Sequence, residues 1–93
     1  PGQGPNKKER ENGYFSFRCF VFDEQGVKST FNVTGDKDPG YGSTSKMLAE
    51  SAVCLAKDKL DDKYGVLTPS YAMGDNILNR LISKAGLTFN KIK

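Results

Sequence analysis

The sequence has no histidine, no tryptophan and two cysteines among its 93 residues. Without histidine a Ser-His-Asp triad is excluded, and a zinc site of the usual cysteine and histidine type has too few ligands. Two cysteines are too few for the disulfide framework of a small secreted domain. The length leaves no room for a dinucleotide-dependent enzyme with its own substrate domain. The absences therefore favour a small domain with one core.

Long apolar runs and blocks of like charge are also missing. The longest apolar stretches are a few residues, too short to cross a bilayer, and nothing at the start has the pattern of a signal peptide. Fourteen basic residues face eleven acidic ones, a net charge of +3, and the signs alternate along the chain. This pattern favours a solvated surface over a nucleic-acid or membrane interface. We expect a cytoplasmic protein.

The first part of the chain differs from the rest in composition. Residues 1–12 contain no hydrophobic side chain and begin with proline. We expect them to be a flexible lead-in, because they have nothing to bury. The start at Pro1 favours a fragment cut from a longer protein. Residues 13–93 are expected to form a single domain.

The segment that follows predicts a β-hairpin. Residues 14–22 are aromatic and β-branched, residues 23–26 form a polar loop, and residues 27–34 alternate between apolar and polar. Phe15, Phe17 and Cys19 lie on one face of the first strand, whereas Tyr14, Phe20 and Phe22 lie on the other. Because both faces are partly apolar, the second group is predicted to lie at an interface, such as that of a homodimer.

Two helices and a last strand complete the predicted fold. The first helix covers about residues 43–58, and Lys46 and Glu50 are spaced to pair on it. Its apolar stripe consists of Leu48, Ala52 and Leu55, with Met47, Ser51 and Cys54 beside it, so we expect this helix to be covered on more than one side. The second begins at Thr68-Pro69, is interrupted at Gly74-Asp75 and ends at Gly86, before a strand over residues 87–92. The prediction is an α+β fold of order β-β-α-α-β, in which two main helices cover a small antiparallel sheet. Apolar neighbours predict that Cys19 and Cys54 are buried free thiols.

A glycine-rich turn offers the best candidate for a binding site. Tyr41, Gly42, Ser43 and Thr44 lead into the first main helix, where free amides and the helix dipole suit a substrate or an anion. The spacing fits neither a Walker A loop nor a dinucleotide fingerprint, and ordinary helix capping is the competing interpretation. Nearby Asp36 and Asp38 are expected to be solvated loop residues. No catalytic residue and no metal ligand is assigned.

Three segments together resemble one family. Residues 35–52, with their Gly-Tyr-Gly turn, residues 65–69 (Gly-Val-Leu-Thr-Pro) and residues 86–89 (Gly-Leu-Thr-Phe) are similar to the C-terminal region of saccharopine-dehydrogenase-like oxidoreductases, including the bacterial trans-acting enoyl reductases. The resemblance implies a parent with an N-terminal Rossmann domain that binds NAD or NADP. This chain lacks the glycine-rich fingerprint, so no cofactor residue can be assigned in it.

Two hypotheses follow from these observations. In the first, the chain is the C-terminal domain of an NAD(P)-dependent oxidoreductase. It would partner the missing Rossmann domain and help shape the substrate side and the subunit interface, without catalysis of its own. In the second, it is a non-enzymatic α+β interaction module that dimerises through its sheet.

Overall fold

The computed structural model describes residues 3–93 and confirms the predicted α+β architecture. Three strands form one antiparallel sheet in the order β1-β2-β3. The elements along the chain are α1 (Lys7–Asn12), β1 (Phe15–Asp23), β2 (Gly26–Gly35), α2 (Gly42–Lys57), α3 (Pro69–Lys84) and β3 (Leu87–Lys91). The predicted order β-β-α-α-β is therefore present, preceded by the short helix α1.

Helix α1 lies in the segment for which the composition predicts only a lead-in. Asn6 caps it: its side chain accepts a hydrogen bond from the Glu9 amide at 2.9 Å, and the Glu9 carboxylate accepts one from the Asn6 amide at 3.0 Å. This reciprocal arrangement is a capping box, which stabilises a helix start without any buried side chain. The Asn-x-x-Glu spacing indicates this helix start, whereas the hydrophobic pattern of the segment does not.

The predicted hairpin forms, with β1 and β2 paired antiparallel. A two-residue loop joins β1 to β2, and Asp23 accepts a hydrogen bond from the Gln25 amide at 2.9 Å inside it. Gly26, the first residue of β2, has a φ of 123°, a conformation that residues other than glycine rarely adopt. A bulge between Val21 and Phe22 shifts the register near this end. The rest of the pairing is regular, so the two faces of the sheet stay distinct.

The ends of α3 and its interruption lie where the sequence predicts them. The Thr68 side chain accepts a hydrogen bond from the Tyr71 amide at 3.3 Å, and Pro69 occupies the first turn. Gly74 is non-helical, with φ 53° and ψ −133°, which bends the helix at the predicted interruption. Beyond the C-cap residue Ala85, Gly86 adopts a φ of 72°. Such a left-handed glycine is the common end of a helix, and it turns the chain into β3.

The core consists of two small clusters that share one residue. The first joins the sheet to the helices through Phe15, Ala85 and Leu87. The second lies between the helices and contains Cys54, Met73 and Ile77. Leu81 packs against both clusters, so α3 connects the sheet layer to α2.

The expectation that α2 is covered on more than one side was wrong. Leu48, Ala52 and Leu55 are exposed, and the side of the helix that faces the core carries Ser43, Met47 and Cys54 instead. The two stripes are about one residue apart in phase, and the helix is apolar on both, so periodicity alone cannot choose between them. The prediction for Cys19 was also wrong, because its thiol is exposed, whereas Cys54 is buried as expected.

Candidate functional site

An internal carboxylate holds the turn that precedes α2. Asp38 accepts hydrogen bonds from the amides of Gly40 at 2.9 Å, Tyr41 at 3.1 Å and Gly42 at 2.6 Å. Its backbone oxygen accepts a fourth, from the Ser43 amide at 2.8 Å. The Gly42 bond above all, followed by those from Tyr41 and Gly40, lowers the pKa of Asp38 against the opposing effect of desolvation. The expectation of a solvated Asp38 was therefore wrong, because the carboxylate is buried as a helix cap.

The four residues predicted to face a substrate or an anion do lie together at this turn. The Tyr41 ring is exposed, and the Thr44 hydroxyl donates to a backbone carbonyl of the turn itself. Ser43 is fully buried, and its Oγ has no hydrogen-bond partner among the described residues. The amides of Tyr41, Gly42 and Ser43 are already used by Asp38. Ligand binding here stays a prediction, and capping explains the local geometry.

An ion cluster connects α2 and α3 at the surface of the second core cluster. Arg80 donates from Nε and Nη2 to the two carboxylate oxygens of Asp58, both at 2.7 Å, and from Nη1 to Glu50 at 3.1 Å. The hydrogen bond from Arg80 is the main cause that lowers the pKa of Asp58, and the same bond raises the pKa of Arg80. Glu50 thus pairs across helices with Arg80, and the predicted pairing with Lys46 was wrong.

Cys54 lies directly beneath this cluster. Its thiol is completely buried, and desolvation raises its pKa, reinforced by the Asp58 carboxylate. A buried thiol with a raised pKa carries little thiolate, so it is a poor nucleophile and a poor metal ligand. Within residues 3–93 no three His, Cys, Asp or Glu side chains are grouped to hold a metal ion.

An apolar groove opens between α2, α3 and β3. Its volume is about 450 Å³, within the range of small-molecule pockets. The walls come from Met47 on α2, Leu78 on α3 and Phe89 on β3, while Ile77 and Leu81 connect its floor to the core clusters. Ser51, Ser70 and Asp75 supply the polar groups of its lining.

A smaller polar notch lies on the other side of the break in α3. Its volume is about 240 Å³, and Gly74 and Asp75 line both cavities. Its further charged residues are Lys59, Asp61 and Lys63. Lys63 donates to the Tyr71 carbonyl at 2.8 Å, and its Nζ lies 4.3 Å from the centre of the Tyr71 ring. The apolar groove therefore adjoins the polar notch at the non-helical Gly74.

Burial decreases along the helix-facing side of the sheet. The row formed by Phe15, Gly35 and Leu87 is buried beneath the helices. One row further, Phe17 is 58% exposed and Phe89 is 38% exposed. The helices therefore cover one end of this face and leave aromatic side chains open at the other.

The opposite face of the sheet is mainly polar. Ser16 donates to Asn32 at 3.2 Å, and the hydroxyls of Thr34 and Thr88 form a hydrogen bond across strands β2 and β3. The predicted interface residues are exposed as well; they are Tyr14, Phe20 and Phe22, and the last two rings are neighbours with centroids 6.4 Å apart. Their role at an interface stays a prediction.

Comparison with known proteins finds consistent similarity to several mycobacterial sequences. The chain is 43% identical over 83 residues to a Mycobacterium tuberculosis protein provisionally named a trans-acting enoyl reductase. It is 39% identical over 83 residues to the trans-acting enoyl reductases of Mycobacterium bovis and Mycobacterium ulcerans. Each similarity covers 87% of this chain and 20% of the relative, so the chain spans about one fifth of the length of these proteins. The chain is therefore similar to one part of longer proteins that are named trans-acting enoyl reductases.

The remaining comparisons are negative. No family profile matches the chain, and no solved structure matches it either. Within the described residues no helix is both long enough and apolar enough to span a membrane.

Proposed function

We propose that the chain is the C-terminal, sheet-bearing part of an NAD(P)-dependent enoyl reductase that is related to saccharopine-dehydrogenase-like oxidoreductases. In that enzyme it shapes the substrate side and the subunit interface, while a Rossmann domain in the remaining sequence binds the nucleotide. The similarity supports this proposal, because it runs through 87% of the chain yet accounts for 20% of each relative.

The observation that carries the proposal is the apolar surface that this chain leaves uncovered. The outer side of α2 exposes Leu48, Val53 and Leu55, and the open end of the sheet exposes Phe17. Apolar patches of this kind mark interaction sites, since a small domain gains stability by covering them. A larger enzyme would supply the missing cover.

The residues of this chain do not fit a nicotinamide nucleotide. Enoyl reduction adds a hydride and a proton across a carbon–carbon double bond, and NAD(P)H supplies the hydride when it is bound. At the turn before α2, the amides that could hold its diphosphate are occupied by the Asp38 carboxylate, which already accepts from Gly40, Tyr41 and Gly42. We therefore assign the nucleotide to the rest of the enzyme and expect no NAD(P)H oxidation by the 93-residue protein.

A chimaera tests the proposal. In the Mycobacterium tuberculosis relative, the segment that matches this chain is replaced by the chain itself, and NADPH consumption is measured with an enoyl thioester. We expect activity well above that of the relative with the segment deleted. A second chimaera with Leu48 and Leu55 both changed to Gln is the matched interface variant, and it should assemble poorly and lose activity. A folded, monodisperse first chimaera without activity would refute the proposal.

A second candidate is a module that dimerises through its sheet. The exposed Phe20 and Phe22 on the second face favour it. Sedimentation equilibrium of the isolated chain distinguishes this candidate. A dimer that Phe20→Ser dissociates would support it, whereas a monomer at millimolar concentration would rule it out.

A further inference from the structure

The groove between α2, α3 and β3 has firm walls and an accessible opening. Ile77 and Leu81 belong to or pack against the core clusters, so the floor of the groove is held in place by the fold. Leu78 is half-buried and Phe89 is exposed along the rim. Preformed apolar walls with a few polar groups are typical of sites for small apolar ligands.

The polar end of the groove lies at the break in α3. A Cβ added at Gly74 would meet no atom within 4 Å, so the backbone there is open on the side toward which a side chain would project. Asp75 follows immediately and is the charged residue of the groove lining. Across Gly74, the notch has two lysines and two aspartates, Lys59, Lys63, Asp61 and Asp75. The polar end is therefore balanced in charge and suits a neutral polar group.

We propose that this groove binds the acyl chain of a thioester, with the thioester and the amide beyond it at the Gly74–Asp75 backbone. The proposal deepens the proposed function, because an enoyl group is an unsaturated acyl chain. The apolar walls would hold the methylenes, and the charge-balanced notch would hold the neutral head. No step of the reduction is assigned to this chain, whose role at this site is to bind and orient.

The first test measures dependence on chain length with the isolated 93-residue protein. Saturated N-acetylcysteamine thioesters from butanoyl to decanoyl are titrated, and amide chemical shifts are followed by NMR. We expect about fourfold tighter binding for each methylene that enters the groove. The shifts should lie around Ser70, Gly74 and Leu78. Affinity that is independent of chain length, or shifts centred on the open end of the sheet, would overturn the proposal.

Paired variants locate the site. Leu78→Gln places an amide in the wall of the groove, and Leu48→Gln makes the same change on the outer side of α2. We expect the first to weaken octanoyl thioester binding at least tenfold and the second to leave it within twofold. Ser70 is an exposed residue of the groove lining, so the ring in Ser70→Trp should fill the groove. This variant should weaken octanoyl thioester binding as Leu78→Gln does, and it provides the test if Leu78→Gln does not fold. Equal binding by Ser70→Trp and the unmodified chain would contradict the proposal.

The head group gives an independent readout. Octanoate has the same chain as the thioester but ends in a carboxylate, whose loss of hydration the charge-balanced notch does not offset, so it should bind several-fold more weakly. Asp75→Asn leaves Lys59 and Lys63 opposite Asp61 alone, so it should strengthen octanoate binding more than thioester binding and reduce this difference. An octanoate preference in the unmodified chain would contradict the neutral-head assignment.

The failures of the two proposals can be told apart. An active chimaera whose isolated chain binds no thioester would refute the groove as an acyl site and leave the enoyl reductase assignment standing. Chain-length-dependent thioester binding with an inactive, folded chimaera would refute the enzyme assignment alone.

Discussion

Arg80 and Asp58 form a two-pronged ion pair that connects the end of α2 to the middle of α3. The guanidinium Nε and Nη2 atoms each lie 2.7 Å from a different carboxylate oxygen. Asp58 is the C-cap residue of α2, and its amide donates to the Cys54 carbonyl at 3.0 Å. One side chain on α3 thereby holds the residue that ends α2 above the second core cluster. The parallel geometry depends on the planar fork of arginine.

Replacing Arg80 by lysine should lower stability although the charge is kept. A single ammonium cannot donate in parallel to both oxygens of Asp58 and also reach Glu50. We expect Arg80→Lys to lower the midpoint of thermal unfolding clearly, and circular dichroism measures this midpoint. The matched control is Arg18→Lys, since Arg18 is an exposed strand residue without an ion pair in the described part of the chain. If Arg18→Lys lowers the midpoint as much as Arg80→Lys does, the planar guanidinium of Arg80 is not the cause of the lost stability.

Asp58 should also shape the response to acid. Its pKa is depressed in the folded protein, mainly by the hydrogen bond from Arg80. The charged form therefore stabilises the fold at pH values above the unfolded-state pKa of about 4, and this contribution is lost as the pH falls through the folded pKa. Asp58→Asn should be less stable at pH 7 and should lose less additional stability on acidification.

Urea unfolding at pH 7, 4 and 3 measures this effect. Asp62→Asn, an exposed change in the same loop, should keep the pH dependence of the unmodified chain. Parallel acid profiles for the unmodified chain and Asp58→Asn would contradict the prediction.

The order of elements could be predicted from local signals that do not depend on distant contacts. The alternation in the hairpin, the Thr68-Pro69 helix start and the left-handed Gly86 each depend on neighbouring residues. The buried face of α2 could not be predicted in this way. Leu48 and Cys54 lie on competing apolar stripes, and the choice between them is made by the placement of α3. The exposure of Cys19 likewise depends on how far the helices extend over the sheet.

The site was less predictable than the fold. The sequence correctly indicates that Tyr41 to Thr44 form a turn at a helix start, but it does not show that Asp38 already occupies the amides. The groove is formed by α2, α3 and β3, which are separated along the chain. Met47 comes from α2 and Phe89 from β3. No local pattern marks such a cavity, because its apolar walls consist of the same residue types as an ordinary core.

The close contact of Phe15 with Gly35 predicts a sharp steric effect. A Cβ at Gly35 would lie 2.0 Å from Cε1 of the Phe15 ring, which is its partner in the strand register. Gly35→Ala must therefore displace the ring from the first core cluster, and we expect a loss of about 1–3 kcal/mol in the free energy of unfolding.

Phe15→Leu supplies the control for this prediction. In the double variant the smaller side chain makes room, so the loss should be less than the sum of the two single losses, with a coupling of about 0.5–3 kcal/mol. Chemical unfolding of the four proteins completes the cycle. Strict additivity would show that the ring and the added methyl do not meet.

The two cysteines should react with thiol reagents at very different rates. Cys19 is exposed on β1, whereas Cys54 is completely buried and burial raises its pKa. Because the thiolate is the reacting form, a disulfide reagent such as Ellman's should titrate one thiol in the native chain at pH 8 and both in denaturant. In Cys19→Ser the native count should fall to zero. The slow phase of Cys54 should then match local opening between α2 and α3, and Arg80→Lys should accelerate it because the ion pair above Cys54 is weakened. Two fast thiols in the native protein would contradict the burial of Cys54 beneath the Asp58–Arg80 pair.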